Sequence, residues 1–170
     1  AGRIIMTNQP KFVPDKAVDI VLEDNVNVKA RLIDCVGYLI DGANGHTEDG
    51  RPRMVRTPWL DHDIPFEEAA DIGTHKVIEN HSTIGIVVTS DGSITDIPRE
   101  NYIQAEQRTI NELKSIGKPF AVIINSKNPL SSETQQLRKE LSDKYDAPVH
   151  AVDVMNIDAA GITDILGSIL

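Results

Sequence analysis

Asp34 and Gly37 stand three residues apart at the end of an apolar run, in the stretch LIDCVG. A carboxylate at the end of a strand can hold Mg²⁺, usually through a water molecule, because a hard cation prefers oxygen ligands. The backbone N–H of Gly37 can bind a γ-phosphate, because glycine has no side chain to obstruct the approach. The pattern is typical of a nucleotide-sensing loop, and also of an ordinary aspartate that ends a strand before a glycine turn.

A second polar stretch, IINSKNP, follows another apolar run and contains Asn125, Lys127 and Asn128. The pattern Asn-x-Lys-Asp after a buried strand reads the guanine base in GTPases, and here its fourth position is Asn128. A carboxylate offers two acceptors, which suit guanine, whereas an amide offers one acceptor and one donor, which suit adenine. These three residues are therefore candidate nucleotide-binding residues. They would recognise adenine or have little base specificity, and a GTPase is disfavoured. The alternative is a plain turn, favoured by its asparagines and proline.

Thr7 is the third candidate, since it precedes Asp34 with one predicted strand between them. In switch NTPases a threonine at this place completes the Mg²⁺ shell and senses the γ-phosphate. Asp34 and Thr7 are thus the predicted Mg²⁺ ligands, unless Thr7 is simply a polar residue near the start of the chain. No G-x-x-x-x-G-K-[ST] motif occurs, so nothing in this sequence is predicted to cradle the α- and β-phosphates.

The predicted elements would bring these positions to one edge of a sheet. We expect an antiparallel hairpin over 17–34, more buried as it approaches Asp34, and a long irregular loop over 42–65. Further strands are predicted within 83–92, 119–125 and 147–154, and helices over 66–80, 97–117, 131–145 and 158–170. Alternating strands and helices form a parallel sheet with helices on both faces and ligands at the carboxyl ends of the strands. The predicted fold class is α/β: a P-loop NTPase-like three-layer sandwich with a mostly parallel sheet and an antiparallel edge hairpin.

Composition narrows the class of protein further. The 170 residues suffice for one compact domain and are too few for two ordinary ones. A net charge of −9 argues against nucleic-acid binding and against a polybasic membrane-binding patch. The single cysteine, Cys35, favours a reducing, cytoplasmic compartment, and no apolar run approaches the roughly 18 residues of a membrane span. The start at Ala1 suggests a domain, residues 1–170, taken from a longer protein and incomplete at its N-terminus.

Other polar residues give weaker signals. Arg51, Arg53 and Arg56 lie in the predicted loop, where they can reach phosphates or remain solvated loop charges. The histidines are scattered without the spacing of a zinc site. Ser82 beside His81 has no third orienting group at a credible position, which disfavours a hydrolase triad.

Several long stretches resemble the stage IV sporulation protein A family, whose members are ATPases that build the basement layer of the spore coat in endospore-forming bacteria. The resemblance covers essentially the whole chain, and its long motifs are far more specific than Asp-x-x-Gly. The stretches that carry it are MTNQPKFVPDKAV, DCVGYLIDGANGHTEDGRPRMVRTPW, PFEEAADIGTHKVIENHSTIGIVVTSDGSI, IPRENYIQAEQR and IGKPFAVIINSKNP.

The resemblance implies a nucleotide domain of the translation-factor GTPase class that hydrolyses ATP, with Mg²⁺, instead of GTP. Asp34 matches the family's Walker B aspartate and Thr7 its sensor threonine, which makes both expected catalytic residues. Asn8 stands where the family often has a second threonine. The family's Walker A loop lies upstream, so these 170 residues alone are expected to be inactive.

The resemblance also implies partners and a location. ATP hydrolysis would drive polymerisation of the protein with itself around the forespore, in the cytoplasm of the mother cell at the outer forespore surface. Other spore coat proteins and a forespore membrane anchor would bind through regions outside this chain. A different class remains as the alternative: a nucleotide-free structural or interaction module on a degenerate P-loop fold.

Overall fold

The computed structural model describes residues 10–22 and 25–170. Within these ranges a hairpin is followed by short ladders and then by alternating helices and strands. The strands are β1 (Lys11–Val21), β2 (Asn27–Asp34), β3 (Thr47–Glu48), β4 (Arg51–Pro52), β5 (Met54–Val55), β6 (Ile64–Pro65), β7 (Gly85–Ser90), β8 (Phe120–Asn125) and β9 (Val149–Val152). The helices are α1 (Phe66–Lys76), α2 (Ile103–Ser115), α3 (Ser132–Tyr145) and α4 (Ala159–Ile169).

The strands β7, β8 and β9 form a parallel sheet in that order, with α2 and α3 as the connections between them. The register pairs Val87 with Val122, and Ile124 with Ala151. This confirms the predicted parallel sheet. Because β7 and β8 run parallel, their carboxyl ends at Ser90 and Asn125 lie side by side.

Helices cover the sheet in layers. Side chains alternate between the two faces of a strand, so β8 contributes to both faces. Val122 and Ile124 pack into the main core, whereas Ala121 and Ile123, also buried, point the other way. Helix α4 contacts β8 and buries Ile165 and Leu166. The main core is formed by Tyr38, Ile78, Val87, Ile110, Leu113, Phe120, Val122, Ile124, Leu141, Tyr145 and Val149.

Local sequence signals set the helix ends. Ser131 caps α3 with a side-chain oxygen that accepts a hydrogen bond from the Thr134 N–H at 3.2 Å, as its serine-rich start predicts. Gly117 ends the predicted helix over 97–117 with a φ of +65°. That region begins with a 3₁₀ turn, Arg99–Tyr102, before α2. The predicted helix over 66–80 is α1 continued by a π-helical segment, Val77–His81.

The hairpin is antiparallel as predicted, but its placement differs from the prediction. Strands β1 and β2 form a sheet of their own, and no described strand joins them to the parallel sheet, so they are not its edge. The expected burial towards Asp34 is also wrong, because Leu32 is 54% exposed and Asp34 is exposed. The physical reason is that the described hairpin meets the domain through the loop after Asp34 and not through a strand ladder.

The predicted irregular loop over 42–65 contains two short antiparallel ladders. Strand β3 pairs with β4, and β5 pairs with β6. Each ladder has only two residue pairs, too short to give the sequence a detectable alternation.

Candidate functional site

The predicted phosphate-sensing residues lie in the loop that follows β2. Asp34 ends the strand, and its carboxylate has no hydrogen-bond or ion-pair partner among the described residues. Gly37 has a φ of +80°, a conformation that favours glycine, and a Cβ added there would meet no atom within 4 Å. The loop therefore presents an available carboxylate and, three residues later, backbone with open space beside it.

Cys35 lies between these two residues and turns inward. Burial raises the pKa of its thiol above the ordinary value, although the nearby Gly37 N–H and Thr74 hydroxyl act in the opposite direction. The Thr74 hydroxyl itself makes no hydrogen bond. Sulfur is a weak hydrogen-bond acceptor, so proximity to Cys35 does not prevent the Gly37 N–H from donating to an oxygen acceptor. The geometry thus leaves this N–H available to an anionic ligand.

The predicted base-reading residues lie at the end of β8 and in the turn that follows. Asn125 accepts a hydrogen bond from the Val154 N–H at 3.2 Å, so its side-chain oxygen fixes the segment after β9. Lys127 and Asn128 are held by their backbone N–H groups, which donate to Ser93 Oγ at 2.9 Å and to Ser126 Oγ at 3.0 Å. Both residues are exposed, which leaves their side chains available to a ligand.

Asp91, which follows β7, supports this turn and was not singled out from the sequence. Its carboxylate accepts hydrogen bonds from Ser93 N–H at 2.9 Å, Ser93 Oγ at 2.6 Å and Thr134 Oγ1 at 2.9 Å. Burial alone would raise the pKa of Asp91, but hydrogen bonds from Ser126 and Ser93 outweigh it and lower that pKa. An aspartate directly after a predicted parallel strand was the signal that could have found it.

An open cleft of about 330 Å³ lies beside this polar cluster. It separates the turn after β8 from the start of α3, and Asn128 is the predicted site residue on its wall. The lining residues are Asp91, Ser93, Ser126, Asn128, Ser131, Glu133, Thr134 and Leu137. The cleft therefore belongs to the base-reading half of the candidate site.

The candidate residues form two groups. Asp34 and Gly37 share one loop, and Asn125, Lys127 and Asn128 share one turn. Within residues 10–22 and 25–170, no hydrogen bond or ion pair links the loop to the turn. Thr7, the predicted second Mg²⁺ ligand and catalytic residue, lies outside the described residues.

The three arginines of the predicted loop have different surroundings. Arg53 stacks on the ring of Phe66, with 4.5 Å between the guanidinium carbon and the ring centroid. The Arg56 Nε lies 2.8 Å from a carboxylate oxygen of Asp63. Arg51 is exposed in β4. These contacts engage Arg53 with Phe66 and Arg56 with Asp63.

Over residues 10–22 and 25–170, no group of three or more His, Cys, Asp or Glu side chains is arranged to hold a metal ion. Among the helices described, none combines the length and the apolar character needed to cross a bilayer.

A parallel sheet with polar turns after its strands is the architecture of α/β ligand-binding domains. The family whose model matches is described as "Stage IV sporulation protein A, ATPase domain", and the match covers residues 1–170. The chain belongs to the stage IV sporulation protein A family.

Relatives from three bacteria agree with this assignment. The chain is 52% identical over 166 residues to stage IV sporulation protein A of Bacillus anthracis and 51% identical over 166 residues to that of Bacillus subtilis. It is 49% identical over 170 residues to that of Clostridioides difficile. These alignments cover 98–100% of this chain and 34–35% of the relatives, so the chain spans about a third of their length. No solved structure matches.

Proposed function

We propose that this chain contributes ATP binding and ATP hydrolysis to a sporulation protein. The observation that carries the proposal is the match of all 170 residues to the family's ATPase domain. The Asp34–Gly37 loop supports it, because it combines an exposed carboxylate with a glycine that has open space beside its backbone. Asp34 and Thr7 are the proposed Mg²⁺ ligands and catalytic residues.

The described residues fit Mg-ATP in part. Asp34 supplies the oxygen ligand that Mg²⁺ prefers, and the Gly37 N–H suits a terminal phosphate oxygen. Lys127 and Asn128 are exposed at the turn after β8, where the Asn128 amide matches the donor and acceptor of adenine. Bound Mg-ATP would supply the phosphoryl group that is transferred to water. Groups that cradle the α- and β-phosphates would come from outside this sequence, which has no G-x-x-x-x-G-K-[ST] motif.

The proposed fold class is the P-loop NTPase fold, of the kind found in translation-factor GTPases. Its support is the alternation of β7, α2, β8, α3 and β9, with polar turns after β7 and β8.

The proposed biological role is assembly of the spore coat. Relatives named stage IV sporulation protein A support a role in sporulation. ATP hydrolysis would drive the protein to polymerise with itself at the forespore surface, in the mother-cell cytoplasm. Other coat proteins and a membrane anchor would bind regions outside this chain.

A nucleotide-free interaction module is the second candidate, and the hairpin favours it. One face of the hairpin is apolar and open: Val13 is 51%, Val18 46% and Leu32 54% exposed. Large exposed apolar side chains grouped on one face are typical of binding surfaces. This candidate assigns no role to the Asp34 carboxylate.

Calorimetry with Mg-ATP on the protein at the length of its relatives separates the two candidates. The ATPase predicts binding heat and turnover, and the interaction module predicts neither. Asp34→Ala should sharply lower turnover and block filament formation, whereas Asp143→Ala, an exposed aspartate on α3, serves as the matched control. Turnover of Asp34→Ala near that of the parent protein would remove Asp34 from the Mg²⁺ site.

A further inference from the structure

Tyr38 directly follows Gly37, and its side chain is buried in the main core with 7% exposure. Its hydroxyl donates a hydrogen bond to the Glu112 carboxylate on α2. The Arg108 guanidinium, one turn earlier on α2, lies 3.7 Å from the centroid of the Tyr38 ring. The hydroxyl and the ring face of Tyr38 are therefore both engaged by α2.

The same group of side chains extends to α1. Arg108 forms an ion pair with Asp71 of α1 at 2.9 Å. His75, also on α1, has its Nδ1 at 3.7 Å from the other carboxylate oxygen of Glu112. Any displacement of Tyr38 must therefore disturb contacts between two helices.

A further hydrogen bond holds the loop after Tyr38, while Cys35, before it, lies near Thr74 of α1 without a hydrogen bond to that hydroxyl. The Asn101 side chain donates a hydrogen bond to the Asp41 carbonyl at 2.9 Å. No described strand joins the hairpin to the parallel sheet, so side-chain contacts such as those of Tyr38 and Asn101 attach the loop to the domain.

We propose that Tyr38 is a positioning residue: it couples the Asp34–Gly37 loop to α1 and α2, so that the loop is held where turnover requires it. This inference rests on the proposed ATPase function. Tyr38 cannot itself contact the nucleotide, because its hydroxyl is committed to Glu112 inside the core. Its effect is to limit how far the Gly37 N–H and the Asp34 carboxylate can move.

The expected consequence is a loss in kcat with little change in KM. A loosened loop still reaches the bound ligand part of the time, but small misplacements at a reacting centre are costly, up to about a hundredfold per ångström. Tyr38→Phe keeps the ring and the Arg108 contact and removes only the hydroxyl. We expect it to lower kcat by about tenfold and to leave KM within about twofold.

Tyr145 provides a matched control. It is also a buried tyrosine of the main core, and its hydroxyl donates to a second α2 carboxylate, Glu106, at 2.7 Å. Tyr145→Phe removes the same kind of hydrogen bond without touching the loop after β2. A merely structural role for Tyr38 predicts equal effects of the two substitutions on turnover.

The test compares both variants with the parent protein at the length of its relatives, by ATP turnover and by backbone hydrogen exchange without nucleotide. The proposal expects faster exchange over residues 35–41 and lower kcat in Tyr38→Phe, and neither change in Tyr145→Phe. Unchanged exchange, or equal effects of the two variants, overturns the coupling. Faster exchange in Tyr38→Phe with a normal kcat also overturns the coupling. The proposed ATPase function is tested separately: it stands if Asp34→Ala loses ATP turnover. If the parent protein hydrolyses no ATP, the proposed function fails, and the exchange comparison alone decides whether Tyr38 holds the loop.

Discussion

The Arg99 guanidinium lies 2.7 Å from a carboxylate oxygen of Glu106, whose side chain is only 1% exposed. Tyr145 donates to the other oxygen of the same carboxylate at 2.7 Å. Burial alone would raise the pKa of Glu106, but the ion pair with Arg99 and the hydrogen bond from Tyr145 outweigh it and lower that pKa. The charged carboxylate therefore joins the start of α2, the end of α3 and the segment after β7.

This carboxylate should make the fold sensitive to acid. Because the pKa of Glu106 is lower in the folded state, its stabilisation is present above the pKa of a free glutamate, about 4.3. It is lost as the pH falls from there through the folded-state pKa. Urea unfolding from roughly pH 6 to roughly pH 3 should show the free energy of unfolding falling on the acid side.

Glu106→Gln should lower the free energy of unfolding near pH 7 by about 3 kcal/mol, because it leaves the partly buried Arg99 without its counter-charge. The substitution should also make the free energy of unfolding depend less steeply on pH. The control is Glu140→Gln, which replaces an exposed carboxylate on α3. An equally steep acid dependence in Glu106→Gln would assign the acid sensitivity to other groups.

The local parts of the fold could be predicted from the sequence, because each signal acts within a few residues. Ser131 caps α3 through an N–H three residues away, and Gly117 ends its helix with its own backbone. The contacts of Tyr38 with Glu112, and of Arg99 with Glu106, have no local signal. The first joins residues 74 positions apart, and no periodicity specifies which glutamate of α2 a tyrosine will meet.

The residues of the candidate site also divide into those with a local sequence signal and those whose role depends on contacts distant in the chain. Asp34, Gly37, Asn125 and Asn128 could be proposed from their types and their places after apolar runs. Asp91 has a sequence signal, its place directly after an apolar strand, but that place alone does not reveal its role, which depends on Ser93 and Thr134 that the turn and α3 bring to it. The error about the hairpin has a similar cause, since an apolar run does not reveal which surface will cover it.

Gly92→Ala should destabilise the fold more than Gly117→Ala. Both glycines have positive φ values, +89° and +65°, which cost a residue with a Cβ about 1–2 kcal/mol. At Gly92 the added Cβ would also lie 2.9 Å from the Arg99 backbone nitrogen, whereas at Gly117 it would meet nothing within 4 Å. Thermal unfolding of the two variants measures the difference. Equal losses of thermal stability in the two variants would indicate that the segment containing Arg99 can move away from the added Cβ without loss of stability.

Ser93→Ala should weaken nucleotide binding by loosening the turn that carries Lys127 and Asn128. The Ser93 hydroxyl accepts a hydrogen bond from the Lys127 N–H and donates one to Asp91, so its loss frees the turn after β8. A hydrogen bond contributes about 1 kcal/mol, which corresponds to about fivefold in affinity. Calorimetric titration with Mg-ATP measures it, with Ser115→Ala at the exposed end of α2 as control. Unchanged affinity would remove the turn from the binding site.

Asn128→Asp should shift the base preference from adenine towards guanine. The carboxylate presents two acceptors to the N1–H and amino group of guanine, and it leaves the adenine ring nitrogen facing an acceptor. Because an unpaired polar group in a binding site is costly, we expect the ratio of GTP to ATP affinity to rise by about tenfold or more. Competition between the two nucleotides for the protein at the length of its relatives measures this ratio. Asn128→Ala should weaken ATP binding without raising affinity for GTP, and an unchanged ratio in Asn128→Asp would show that this residue does not contact the base.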